Sequence, residues 1–247
     1  MRLLSLNLHC RQEQAWQSNL EVLAAFISSE NIDVIALQEC AQDVRAVGLS
    51  QENDLVILQR FLASYDLNYV IDWVQTHIGF DTYLEGLGIL SRLPILSSKS
   101  FVISATDDIT DWQTRKAQIV TFDVDGAPVE VCNLHLGLVN RGLAELDTLL
   151  RLHNLDDSIV VGDFNIPSDS ETYEALVARI EQPDAYHVLN GLSDPTFFEG
   201  AHGWAEDVGK RIDYVFSGKC VSIKRVFDGR DEPRISDHMG LLADFEV

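Results

Sequence analysis

Ile119-Val120-Thr121-Phe122-Asp123-Val124 and, four residues further on, Val129-Glu130-Val131-Cys132-Asn133-Leu134 are two apolar, β-branched runs with no room for a helix between them. Such a pair reads as two strands joined by a hairpin, and therefore as antiparallel. Working back from it, strand follows strand from about Tyr69 through Gly88 to Leu90 and on to Leu134, so much of the sheet in this half is antiparallel. Toward both chain ends the pattern changes. Strand-like runs at Leu3 to Leu8, Asp33 to Leu37, Ser158 to Gly162, Ile212 to Phe216 and Leu241 to Phe245 are interleaved with helical patterns. Those lie at Trp16 to Ser28, Glu52 to Ser64, Gly142 to Leu152 and Ser170 to Ile180, the last preceded by Ser168 and Asp169 as candidate caps. The order is that of an α/β protein. A purely doubly wound sheet does not accommodate the antiparallel middle. Two mixed sheets packed face to face, with helices on their outer sides, bury the continuous apolar strands on both faces.

The chain is 46% hydrophobic and 23% charged, which excludes a disordered, collagen-like or membrane-spanning class. No Gly/Ser-rich or Pro-rich linker and no internal repeat divides its 247 residues, so a single domain over 1–247 is expected. Eighteen Lys and Arg stand against 39 Asp and Glu, for a formal net charge of −21. That field repels a polyanion unless a local basic patch or a metal engages it, so long nucleic acid is a poor partner. Concentrated carboxylate is tolerated where it is solvated or gathered around a cation, which makes a divalent-metal site the feature to look for. Cys10, Cys40, Cys132 and Cys220 have no C-x-x-C spacing and are expected as reduced, mostly buried thiols. The opening Met-Arg-Leu-Leu-Ser-Leu-Asn-Leu-His lacks the pattern of a signal peptide, and no stretch approaches ~20 apolar residues. A cytoplasmic protein with no membrane partner is the expectation.

Several polar residues stand where an apolar strand ends, the position from which a rigid scaffold aims a side chain into a cleft. Asn7 follows Leu3-Leu4-Ser5-Leu6, and Glu39 follows Val34-Ile35-Ala36-Leu37-Gln38. Together they offer hard oxygen donors of the kind magnesium takes. His135 closes Val131-Cys132-Asn133-Leu134. Gly162 permits a sharp exit from Val160-Val161, after which Asp163 and Asn165 project alike. A carboxylate there can orient or deprotonate water, and the amide can donate to a phosphate oxygen. Asp213 lies in Arg211-Ile212-Asp213-Tyr214, and Ser236-Asp237-His238 precedes the last strand. An imidazole backed by a carboxylate is fixed in one tautomer and favours its protonated form. Each residue singly also has a plainer reading: a helix cap or solvated turn for Asn7 and Glu39, a hydrogen-bonded structural histidine at 135, an Asx turn at 163, a surface Asp-His turn at 237.

The ordered series Asn7, Glu39, His135, Asp163 with Asn165, Asp213, and Asp237 with His238 resembles the endonuclease/exonuclease/phosphatase superfamily, relatives of type I deoxyribonucleases, over about residues 2 to 246. The most specific pieces are Gly162-Asp163-Phe164-Asn165, Arg211-Ile212-Asp213-Tyr214 and Ser236-Asp237-His238. The resemblance implies a four-layer α/β sandwich, a Mg²⁺ or Mn²⁺ requirement, and hydrolysis of a phosphoester by water. It implies that Asn7 and Glu39 bind the principal metal with Asp237 near it, that Asp163 activates the water, and that Asn165 holds a phosphate oxygen. His238, oriented by Asp213, and His135 would then contact the phosphoryl group, with Glu85 supporting His135.

The superfamily acts on DNA, RNA, lipids and small phosphates, so the substrate rests on the remaining residues. Cations occur only in short sets, Arg115-Lys116, Lys210-Arg211, Lys224-Arg225 and Arg230 with Arg234, enough for one phosphate and not for a nucleic-acid track. Arg115 and Lys210 are candidate phosphate contacts, with a solvated ion-paired strand edge as the alternative for Arg115-Lys116. Asp72 to Tyr83 and Glu199 to Trp204 mix aromatics, histidine and glycine in a manner suited to a flat hydroxylated ring, or to covering a sheet edge. They offer His77, Tyr83, His202 and Trp204 as substrate contacts. Within the superfamily, His77-Ile78-Gly79-Phe80-Asp81, the Glu85-Gly86 turn, His202-Gly203-Trp204 before Lys210-Arg211-Ile212-Asp213-Tyr214, and Asp237-His238-Met239-Gly240-Leu241 look like bacterial maltose 6'-phosphate phosphatases, cytoplasmic enzymes that take phosphate from a disaccharide phosphate. A small sugar phosphate is the implied substrate; a nuclease or other phosphodiesterase with the same residues, and a binding module that kept only the fold, are the alternatives.

Overall fold

Strand β1 (Arg2–Asn7) is buried from Leu3 to its end, and its side chains sort by the two-residue period of a strand. Leu4 and Leu6 enter one apolar cluster while Leu3 enters another. The helix α1 (Trp16–Glu30) then returns the chain so that β2 (Val34–Asp43) runs parallel to β1, with Ile35 and Leu37 on the side of Leu4 and Val34 and Ala36 on the side of Leu3. The described structure, a computed structural model, covers residues 1–138, 140–191, 194–198 and 209–247. His202 and Trp204 lie outside the described residues.

After α2 (Asp54–Ala63), five strands follow without an intervening helix: β3 (Val70–Gly79), β4 (Tyr83–Ser91), β5 (Ile95–Val102), β6 (Lys116–Val124) and β7 (Ala127–His135). The opening hairpin is β6–β7, antiparallel from Ala117↔Leu134 to Val124↔Ala127. A second parallel crossover through α3 (Asn140–Leu152) leads to β8 (Ile159–Asp163). The helices α4 (Glu171–Ile180) and α5 (Ala185–Asn190) and the strands β9 (Asp213–Phe216), β10 (Cys220–Val226) and β11 (Gly240–Phe245) complete the order. Two sheets result, β10-β11-β1-β2-β4-β3 and β5-β6-β7-β8-β9, in which only β1–β2 and β7–β8 pair in parallel.

Three apolar clusters define four layers. One lies between α1, α2 and the six-stranded sheet, one between the sheets, and one between the five-stranded sheet and α3, α4. The architecture is the α/β sandwich with outer helices expected from the sequence. Ala185 and Tyr186 of α5 join the cluster between the sheets, where α5 packs on the edge strands β9 and β10. All four cysteines are free and buried. Among the described residues no helix is long and apolar enough to cross a membrane.

Two expectations need correction. Helix α4 is capped by Ser170, whose side chain accepts from the Tyr173 backbone N–H at 3.2 Å, and not by Ser168 or Asp169. Strand β10 has no counterpart among the expected elements. It is an edge strand with exposed Val221, Ser222 and Lys224, so it lacks the continuous apolar run that marks a buried one.

A polar row crosses the otherwise apolar space between the sheets. Gln38 Nε2 in β2 donates to Asn133 Oδ1 in β7 at 2.7 Å, and Asn133 Nδ2 donates to Gln118 Oε1 in β6 at 3.1 Å. Gln118 Nε2 in turn donates to Asp72 Oδ1 in β3 at 2.6 Å. Gln38, Asn133 and Gln118 are fully buried, so these bonds stitch one sheet to the other immediately beneath the strand ends that carry Glu39 and His135.

Candidate active site

The two parallel pairs place polar strand ends side by side. Asn7 lies opposite Gln38, the neighbour of Glu39, and His135 lies opposite Asp163, which pairs on its other side with Asp213. Local backbone then aims the side chains. Glu39 sits in a bulge between Leu37 and Cys40 with φ +52°, so β2 turns its carboxylate out of the sheet pattern. Gly162 has φ +137°, and a Cβ there would lie 1.9 Å from the Leu134 carbonyl oxygen, so only glycine lets β8 approach β7 this closely. Asn165 has φ +53°, its backbone N–H donates to Asp163 Oδ1 at 2.9 Å, and its side chain donates to Leu136 O at 2.9 Å.

Residues far apart in the chain consequently converge. Asn7 Nδ2 donates to Glu39 Oε1 at 2.9 Å and to Asp163 Oδ2 at 3.0 Å. His135 Nε2 stands 3.8 Å from Glu39 Oε1 and 3.6 Å from Asp163 Oδ2. His238 Nε2 stands 3.7 Å from the same Asp163 oxygen, and its Nδ1 is 2.9 Å from Asp213 Oδ2. Asp213 also accepts from Thr196 Oγ1 at 2.6 Å, and the Phe197 ring lies edge-on to His238 with centroids 5.0 Å apart. Of these groups Glu39, His135, Asp163, Phe197 and His238 line a cavity of about 800 Å³, with Asn7, Thr196 and Asp213 behind its wall, and Phe80, Leu138, Ile166 and Ile212 add apolar lining.

The charges are unevenly settled. Burial lifts Asp163 to about 7, helped by Asp213 and Glu39 and opposed by His238 and the Asn165 amide. Burial also works against charge on His238, yet Asp213, Asp163 and Asp237 outweigh it and raise this histidine to about 10. His135 is held well below the ordinary histidine range by burial and then by the positive charge of Arg115. At neutral pH one imidazole is therefore a cation and the other is neutral.

Glu39, His135 and Asp163 each offer a ligand atom, all within 4.8 Å of one another. Two carboxylates meeting on one amide nitrogen, with a neutral imidazole beside them, are a donor set suited to a hard divalent cation. Asp237, expected beside Asn7 and Glu39, lines the same cavity, and its Oδ1 lies 3.4 Å from His9 Nδ1. His9 also meets Glu13 at 3.1 Å, a second cluster that sequence patterning missed although His9 follows Asn7 by two residues. Thr196 and Phe197 were missed because they lie in a loop with no strand or helix period to mark them.

Four expected contacts sit elsewhere. Glu85 supports His77 and not His135: the register sets His77 directly across from Glu85, and the side chains meet at 3.5 Å. His77 is correspondingly no wall of the cavity, because a bulge after Gln75 turns Thr76 and His77 both inward, leaving His77 5% exposed. Burial, reinforced by Arg115, lowers His77 to about 4, and burial with the nearby Glu39 raises Glu85 to about 8. Tyr83 lies beneath Arg11, whose guanidinium carbon is 5.7 Å from its ring, outside the cavity lining. Arg115 is buried behind the site rather than on a solvated edge; its Nη1 donates to Trp112 O at 2.8 Å and lies 3.4 Å from His77 Nδ1. Lys210 does line the cavity, and it is the only lysine or arginine that does so among the described residues.

Residues 4–238 match the Endonuclease/Exonuclease/phosphatase family. No curated protein matches the chain at a significant level. Among solved structures, an endonuclease/exonuclease/phosphatase family protein from Leptotrichia buccalis is 26% identical over the whole of both chains, with a TM-score of 0.89. A truncated TDP2 from Caenorhabditis elegans is 17% identical, covering 100% of this chain and 97% of that one, with a TM-score of 0.68. A mannosyl-6-phosphatase from Bacteroides thetaiotaomicron is 18% identical over the whole of both chains, with a TM-score of 0.65. The last two likenesses show a shared fold. With strand-end residues from both sheets gathered in one cavity and a family match over nearly its full length, the chain belongs to the endonuclease/exonuclease/phosphatase family.

Proposed function

We propose that the protein is a Mg²⁺- or Mn²⁺-dependent phosphomonoesterase that releases phosphate from a small phosphorylated sugar, such as maltose 6'-phosphate, in the cytoplasm. Members of the family are typically metal-dependent hydrolases of phosphoester bonds. The observation that carries the reading is the meeting of Glu39 and Asp163 on Asn7 Nδ2, with neutral His135 within 4 Å of both carboxylates and charged His238 within 4 Å of Asp163.

Glu39 and the Oδ1 of Asn7 would hold the cation, with Asp237 on the same cavity wall and Asp163 left free to act on the water. When bound, the ion supplies Lewis-acid charge for a phosphoryl oxygen. Asp163, raised to about 7, is matched to accepting a proton from the attacking water near neutrality. His238 presents Nε2–H to a phosphoryl oxygen because Asp213 occupies Nδ1. Asn165 borders the same space and its amide suits a second oxygen. His135, neutral, donates or accepts a hydrogen bond without adding charge.

Charge and shape favour a small neutral leaving group. A chain of net charge −21 with Lys210 as the only lysine or arginine on the described cavity wall is poorly made for a polyanion. That a mannosyl-6-phosphatase shares the fold agrees with this choice. With Mg²⁺, purified protein is expected to release inorganic phosphate from maltose 6'-phosphate, to lose activity in chelator, and to leave DNA and RNA oligonucleotides intact. Oligonucleotide cleavage with no phosphate from any sugar phosphate overturns the proposal.

A further inference from the structure

The hairpin joining β3 and β4 turns through Gly79-Phe80-Asp81-Thr82, closed by the Thr82 N–H on Gly79 O at 3.1 Å. Phe80 and Asp81 take φ of +50° and +54°, consecutive left-handed residues of a tight hairpin turn that favours Asn, Asp and Gly. A phenylalanine is a poor occupant of such a position, because its Cβ crowds the backbone. Core packing does not explain its presence, since Phe80 is 59% exposed. It nevertheless lines the cavity that holds Glu39, His135 and Asp163. Nor does the turn hang loose: Thr82 Oγ1 donates to Phe80 O at 2.9 Å, and Ile78 N–H donates to Ile109 O at 2.7 Å, tying the hairpin end to the segment before β6.

An exposed aromatic face fixed at a cavity wall offers dispersion and C–H contact and no charge. Leu138 and Phe197 line the same cavity, where Lys210 is the only lysine or arginine among the described residues, so a polynucleotide would find little counter-charge and the apolar face of a hydroxylated ring would fit. Resting on the phosphomonoesterase reading above, we infer that Phe80 is a specificity-determining residue, stacking on the uncharged, ring-bearing alcohol whose phosphate is cleaved.

The test compares wild type with Phe80→Asn and Phe80→Trp on maltose 6'-phosphate and on glycerol 3-phosphate, which has no ring, alongside thermal unfolding. Asparagine suits the turn, so the Tm of Phe80→Asn is expected to equal or exceed that of wild type. Its KM for maltose 6'-phosphate is expected to rise about five- to tenfold with kcat within about twofold, and its kinetics on glycerol 3-phosphate to change less than about twofold. Phe80→Trp is expected to restore the KM. If wild type cleaves sugar phosphates and Phe80→Asn leaves the disaccharide KM unchanged, or weakens both substrates equally, or unfolds at lower temperature, the inference fails while the function stands. If wild type releases phosphate from no sugar phosphate, the functional reading fails and takes the inference with it.

Discussion

Asp213 Oδ2 lies 2.9 Å from His238 Nδ1, so the ring nitrogen left facing the cavity is Nε2, 3.7 Å from Asp163. The pairing ties an acid at the start of β9 to an imidazole just before β11, and Thr196 Oγ1, donating to Asp213 and accepting from the backbone N–H groups of Ile212 and Asp213, holds the acid in place. A neutral amide at position 213 would keep the shape and lose the charge.

Asp213→Asn is therefore expected to bring His238 down from about 10 toward the ordinary range, followed by NMR titration of the imidazole in metal-free protein. The linked stability has a definite sign. A histidine whose folded value lies above its unfolded 6.5 contributes stability that is complete below 6.5 and lost as pH rises through 10. Asp163 and Glu85, raised to about 7 and about 8, act at lower pH, so the interval from 8 to 10 reports chiefly on His238 and on the buried cysteines, which both proteins share. Thermal unfolding in chelator should fall more steeply across that interval for wild type than for Asp213→Asn. Turnover in the variant should drop about 100-fold or more.

Glu39→Gln removes one of the two carboxylates that meet on Asn7, and should shift the Mg²⁺ concentration for half-maximal activity upward by about tenfold or more. Asp163→Asn should chiefly lower kcat, by about 100-fold or more, because the proton acceptor is gone. Full activity in both variants at limiting Mg²⁺ would refute the assignment.

Gly162→Ala should destabilise the fold by about 2 kcal/mol or more, since the new Cβ meets the Leu134 carbonyl and φ is +137°. Gly126→Ala is the control. It also has positive φ, at +88°, but nothing lies within 4 Å of the added carbon, so a loss of about 1 kcal/mol is expected. Urea unfolding of the two variants separates the backbone clash from torsional strain alone.

Asn133→Leu would leave Gln38 and Gln118 without their shared partner in the buried space between the sheets. A loss of about 2–3 kcal/mol is expected in urea unfolding, and a second change, Gln38→Leu, should recover part of it by removing an orphaned amide. Two independent, additive losses would contradict the coupling.

The legible part of the molecule was its buried strands. Asn7, His135 and Asp163 each close a continuous apolar run, so the sequence announces both the strand and the polar group aimed from its end. Register was not legible. The bulge after Gln75 buries two successive side chains, and a one-residue slip exchanges the faces of a strand. The places of His77 and Glu85 differ from expectation for that reason, and Phe80, two residues beyond Ile78, lines the cavity. Edge strand β5, with Ser97, Ser98, Lys99 and Ser100 exposed, blends into its flanking loops in sequence because half of its environment is water. Thr196 belongs to no periodic segment, so its hold on Asp213 is visible only in three dimensions.

The interlocked Gln38, Asn133 and Gln118 amides have a mechanical meaning for the chemistry above them. Glu39 and Asp163 belong to separate halves of the sandwich, and an oily seam alone would let those halves glide. Directional bonds across the seam fix the span between the two acids, so on the proposed reading the ion that fits would be set by a gauge machined into the scaffold.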